Sequence, residues 1–140
     1  MQRLTVFAYG TLITGARSSA IQTLLDECLV RRQPGWVRGR LYDLGPYPGL
    51  VAAPRRSEQV HGEILELCAP KRCLAALDDY EDYDPRRPEA STYRRAWCRA
   101  SLADGGAIWA WVYWYQGPAQ RARRIPNGDW RDWLGRVASP

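Results

Sequence analysis

Two aromatic-rich runs, Tyr93–Leu102 and Ala107–Tyr115, flank the turn Asp104-Gly105-Gly106, and this arrangement limits the fold more than any other feature of the chain. Apolar and aromatic residues at strand spacing on both sides of an Asp-Gly-Gly turn specify an antiparallel hairpin. The second arm is bulky on both faces, with Trp109, Trp111, Tyr113 and Tyr115 on one and Ile108, Val112 and Trp114 on the other. That pattern predicts a central strand covered on both sides.

The rest of the chain supplies shorter elements. Leu4–Ala8 reads as a strand that runs into Tyr9-Gly10-Thr11-Leu12. Ile21, Leu24, Leu25, Cys28 and Leu29 form one stripe of an amphipathic helix, with Ser19 and Gln22 as its capping box. Pro34-Gly35 is expected to break that helix, with strands following at Trp36–Leu44, Leu50–Ala53 and Val60–Leu67. A second helix is predicted over Pro70–Tyr80, where Pro suits the first turn, and an irregular loop over Asp82–Thr92. In the tail, Trp130, Trp133, Leu134 and Val137 share one helical face. Five or six strands with at most three short helices make the fold class α+β, and the irregular alternation argues against a doubly wound parallel sheet.

No linker or repeat interrupts the 140 residues, so residues 1–140 are expected to form a single domain, with 116–140 as a C-terminal tail carrying the short helix. Apolar residues make up 46% and charged residues 25%, which excludes a disordered, collagen-like or coiled-coil chain. The longest apolar run, Ala107–Tyr115, is about half of what a membrane helix needs. The first residues lack a secretory leader's apolar stretch, so no membrane association and a cytoplasmic location are expected. Cys28, Cys68, Cys73 and Cys98 form no C-x-x-C pair and His61 stands alone, so no metal site is predicted and the thiols are read as reduced. The net charge of +5 comes almost wholly from Arg, Lys71 being the lone lysine. Arginine doublets among aromatics suit a nucleic-acid face, but they are dispersed and interleaved with acids, so nucleic acid is not the expected partner.

The usual nucleophile and phosphate-binding motifs are missing, which leaves carboxylates and backbone amides for any chemistry. If the second helix persists one turn, Leu74, Leu77 and Glu81 lie on one stripe and place a carboxylate toward the core. Desolvation, the neighbouring Asp78, Asp79 and Asp82, and the negative helix end would each raise its proton affinity, as a general acid/base requires. The alternative is a Glu81 swung into solvent or paired with an arginine. Glu63 and Asp43 are lesser candidates, and buried ion pairs account for them equally well. Gly10 allows successive amides of the Tyr9–Leu12 turn to converge on an anion, although such turns are also common strand endings.

Six segments in order resemble the γ-glutamylcyclotransferase-like family. They are Val6-Phe7-Ala8-Tyr9-Gly10-Thr11-Leu12; Gly39-Arg40-Leu41-Tyr42-Asp43-Leu44-Gly45 with Tyr47-Pro48-Gly49-Leu50; Val60-His61-Gly62-Glu63-Ile64; Leu77-Asp78-Asp79-Tyr80-Glu81; Tyr93-Arg94-Arg95; and Ala110-Trp111-Val112-Tyr113. The resemblance implies a small mixed-strand β-barrel flanked by short helices. It also implies a turn of Tyr9, Gly10, Thr11 and Leu12 that holds a γ-glutamyl group, Glu81 as acid/base, a small-molecule γ-glutamyl substrate and no cofactor. Tyr42, Tyr113 and Tyr115 are candidates to line the pocket, and the loop Asp82–Thr92 to cover it. One departure stands out, Asp82 where the family usually has Gly. The alternative functions are a non-catalytic binding module on the same fold and an Arg-aromatic nucleic-acid binder. Neither the leaving amine nor the oligomeric state is legible in the sequence.

Overall fold

The computed structural model describes residues 2–138 apart from 54, 56 and 120. Strand β1 (Leu4–Ala8) leads through a short helix α1 (Thr11–Thr14) to α2 (Ser19–Cys28). Strands β2 (Leu29–Arg38), β3 (Arg40–Asp43), β4 (Pro48–Val51) and β5 (Gln59–Leu67) follow, then α3 (Pro70–Tyr80). The hairpin β6 (Tyr93–Leu102) and β7 (Ala107–Tyr115), a short β8 (Arg123–Ile125) and α4 (Trp130–Ala138) complete the order. No helix of the described residues is long and apolar enough to cross a membrane.

Five strands close a barrel in the order β1-β5-β2-β6-β7, and β4-β3-β8 form a separate three-stranded sheet. Closure is parallel, with Val6 of β1 opposite Trp111 of β7, while the other barrel pairs are antiparallel. The chain is thus α+β with a mixed barrel, as the sequence implies.

Alternation along β1 divides the core in two. Val6 and Ala8 join Leu65, Leu67, Leu24, Leu25 and Leu77 beneath α2 and α3. Phe7 and Tyr9 join Val60, Ile64, Ala110 and Val112, together with Trp130 and Trp133 of α4. Each fully buried side chain of this kind contributes about 1.5–3 kcal/mol. The two layers fix the end of β1 from both sides.

Several local expectations need correction. The N-cap of α2 is Ser18, whose Oγ accepts from the Ile21 amide, one residue before the expected box. Pro34-Gly35 does not break a helix, since β2 starts directly at Leu29 and runs through both residues. Pro34 lies beside a stretch where β6 pairs only with Gly35 and Trp36, and such an edge tolerates a missing N–H. The strand expected over Trp36–Leu44 is divided at Gly39 into β2 and β3, and β4 begins at Pro48 rather than Leu50. Strand β7 is paired on both edges, yet Trp109 is 52% exposed, so one face is open in part.

Candidate active site

Strand β1 delivers Tyr9 into a buried position, where its hydroxyl donates to the Tyr113 carbonyl at 2.6 Å. The chain then turns at Gly10 with φ −131 and ψ −129. The glycine is required by contact rather than by a left-handed backbone, because a Cβ there would lie 2.9 Å from both Cδ and Cγ of Pro48. Pro48 is itself held by the Tyr93 hydroxyl, which donates to its carbonyl at 2.7 Å. Helix α1 begins at Thr11, so the amides of Thr11 and Leu12 belong to a first turn with no preceding helical carbonyl to bond.

Glu81 is the C-cap of α3 and its amide donates to the Leu77 carbonyl at 2.9 Å. Burial pushes its carboxyl up to about 7, against a smaller opposing pull from the positive charge of Arg17. As a whole residue Glu81 keeps some solvent contact, so it borders a cavity rather than lying in a sealed core. Among the described residues nothing hydrogen-bonds or ion-pairs with it. The neighbouring acids do not act as the sequence suggests: Asp78 is neutralised by Arg95, whose Nε lies 2.8 Å away, and Asp79 and Asp82 are exposed. Asp82 has φ 52, the left-handed conformation that favours glycine. Its Oδ2 accepts from Thr92 Oγ1 at 2.5 Å, which ties down the turn.

Glu81 and the turn share one cavity of ≈ 30 Å³, the space of about one or two waters. Tyr9, Gly10, Thr11, Leu12 and Tyr113 line it as well. Tyr42 and Tyr115 do not: Tyr42 sits in β3 opposite Gly49 and Arg124, and Tyr115 lies behind Tyr93, ring to ring at 5.6 Å. Glu63 binds Arg32 at 2.8 Å, and Asp43 accepts from Trp133 Nε1 at 2.9 Å. The loop Asp82–Thr92 folds back on itself, Asp84 N–H donating to Ser91 Oγ at 2.9 Å, and contributes no wall.

Five cavity residues were not among the sequence candidates: Ala8, Arg17, Tyr47, Pro48 and Tyr93. Tyr47-Pro48 and Tyr93 lie within family-like segments and carried a signal. Arg17 carried none. Among the described residues no group of three or more His, Cys, Asp or Glu is placed to hold a metal ion.

Comparison with known proteins gives the same family at two levels. The family model described as "Gamma-glutamyl cyclotransferase, AIG2-like" matches residues 6–132. A protein of Vibrio cholerae serotype O1 named "Putative gamma-glutamylcyclotransferase" is 34% identical over 130 residues, covering 93% of this chain and 96% of that one. Among solved structures, Bacillus subtilis YkqA superposes with a TM-score of 0.70 at 20% identity over 99% of this chain, which spans only 44% of that protein. A mouse AIG2-like protein superposes with a TM-score of 0.67 at 21% identity, covering 90% of this chain and 88% of its own. These two likenesses are of fold.

Proposed function

Because the chain belongs to the gamma-glutamyl cyclotransferase, AIG2-like family, we propose that it converts a γ-glutamyl amide to 5-oxoproline and a free amine with Glu81 as its one acid/base. The observation that carries this reading is a buried, unpaired carboxyl with a pKa of about 7 sharing a cavity with the Gly10–Leu12 turn.

The α-amino nitrogen of the substrate attacks the γ-carbonyl carbon of the same molecule. The new C–N bond closes the lactam, the carbonyl electrons move to oxygen, and their return expels the leaving nitrogen. Two protons leave the attacking ammonium and two arrive on the departing amine. A carboxyl poised near neutrality can carry each in turn. Holding the substrate folded supplies the proximity that a bimolecular reaction would lack, and the first amides of α1 face the anionic end of the ligand. A γ-glutamyl group needs more room than the cavity offers.

The test is release of 5-oxoproline from a panel of γ-glutamyl compounds by the parent and by Glu81→Gln. Turnover that disappears in a folded Glu81→Gln establishes the reading. Binding of the same compounds without turnover identifies a binding module instead, and salt-sensitive affinity for oligonucleotides that survives the substitution identifies a nucleic-acid binder.

A further inference from the structure

Three of the four cysteines meet where α2 ends, β5 ends and α3 begins. Cys28 is the last residue of α2, Cys68 follows β5 directly, and Cys73 lies near the start of α3. All are free thiols. Cys28 and Cys73 are buried in the core layer beneath α2 and α3, and the half-buried Cys68 packs against the same layer. The Cys28 thiol interacts with each of the other two. Cys73 is committed elsewhere, its Sγ donating to the Cys68 carbonyl at 3.2 Å, and Cys98 packs against the other layer. The cyclotransferase reading uses none of these residues.

The backbone sets Cys28 and Cys68 opposite one another. The β2–β5 ladder pairs Leu29 with Leu67 in antiparallel register, and one step further along the Cys68 amide donates to the Cys28 carbonyl at 2.9 Å. Antiparallel partners joined in this way keep their Cα atoms about 5.5 Å apart, within the span of a disulfide. Arg72 adds a cation: its Nη1 donates to Cys28 Sγ at 3.9 Å, while its Nη2 holds Glu27 at 2.9 Å. A guanidinium beside a sulfur favours the thiolate, the form that attacks a disulfide.

We infer that Cys28 and Cys68 form a reversible oxidation site, closing to a disulfide when the protein meets a low-molecular-weight disulfide. Cys68, the least buried of the three, takes the first step. As the thiolate it attacks one sulfur of the small disulfide and expels the other half as a thiolate, leaving a mixed disulfide on Cys68. Cys28, deprotonated beside Arg72, then attacks Cys68 Sγ and releases the second half. The two protein thiols are oxidised to one disulfide, the small disulfide is reduced to two thiols, and the two cysteine protons end on those thiols. Burial raises the Cys68 thiol above its usual pKa, so entry is slow at neutral pH and the reduced form is the resting state. The closed bond ties the end of α2 to the end of β5, just ahead of the helix that carries Glu81.

The experiment exposes the full chain to excess oxidised glutathione at about pH 8.5, where thiolate is more plentiful, traps remaining thiols by alkylation after unfolding, and maps tryptic peptides by mass spectrometry without reduction. Expected are an intact mass lower by two hydrogens, one linked peptide pair joining Cys28 to Cys68, alkyl groups on Cys73 and Cys98, and full reversal by dithiothreitol. Cys68→Ser is expected to form no internal disulfide, and Cys28→Ser to stop at the mixed disulfide on Cys68. Should either variant fail to fold, the map of the parent decides alone. Linkage through Cys73 or Cys98, a mixed disulfide that persists on Cys68 of the parent, or four thiols still free after prolonged exposure would each overturn the inference. The readout is a mass, so the result stands whether or not 5-oxoproline is released.

Discussion

Tyr113 donates its hydroxyl to Asp78 Oδ1 at 2.6 Å, and Arg95 Nε binds the same oxygen at 2.8 Å. This buried triad fastens the last turn of α3 to the β6–β7 hairpin one turn before Glu81. Removing the acid leaves a guanidinium and a phenol facing one another without a partner. Asp78→Ala is expected to lose about 3–5 kcal/mol in urea unfolding. A loss below about 1 kcal/mol would mean that solvent reaches the pair and screens it.

Activity should depend on Glu81 being ionised to accept the first proton. With its pKa near 7, kcat/KM falls tenfold per unit below that value, so at pH 5 it is about 100-fold beneath its plateau. In Arg17→Gln the limb moves to higher pH, since the guanidinium is the influence holding the carboxyl down. A limb centred near 4.5 in the parent contradicts the assignment.

The same shift acts on stability. Glu81 ionises near 4.5 when unfolded and near 7 when folded, so the folded state binds the proton more tightly. Its contribution is fully present below pH 4.5 and disappears as pH rises through 7, a loss on the order of 3 kcal/mol by pH 8. Glu81→Gln carries no charge at any pH. It should therefore be more stable than the parent at pH 8 by up to about 3 kcal/mol, and no more stable at pH 4. Thermal or urea unfolding at the two pH values distinguishes this from a packing effect, which would be equal at both.

Gly10→Ala should strain the contact with Pro48, where the added Cβ would sit 2.9 Å from two ring carbons. The overpacking cost is about 1–3 kcal/mol. Relief requires the turn or β4 to retreat, so 5-oxoproline affinity measured by calorimetry should weaken by about tenfold or more. Unchanged affinity would show that the turn is not part of the ligand site.

Asp82 occupies a left-handed position with φ 52. Asp82→Gly gains backbone freedom and loses the Thr92 contact, and is expected to stay within about 1 kcal/mol of the parent. Asp82→Ala loses the contact and keeps the strain, costing about 1–2 kcal/mol. Equal effects in urea unfolding would indicate that the hydrogen bond alone matters.

How much was legible depended on whether the determinant was local. The hairpin and α3 were readable to the residue because Asp104-Gly105-Gly106 and Pro70 punctuate the chain where they stand. Strand β2 was misread, since Pro34-Gly35 breaks elements in isolation and is tolerated here only by the way β6 diverges. Strand β8 offered no pattern, being three residues with two exposed arginines. At the site, Glu81 announced itself as an acid on an apolar stripe. Arg17 did not, because its significance comes from Tyr47 and Tyr80, which only the folded chain brings beneath it.

Trp133 of α4 donates to Asp43 at the end of β3, β8 borders the same strand, and β4 on its other side carries Pro48 against Gly10. The tail thereby buttresses β4, and with it Pro48, through β3. Shortening the protein from its C-terminal end would slacken the pocket from behind while leaving every residue that lines it intact.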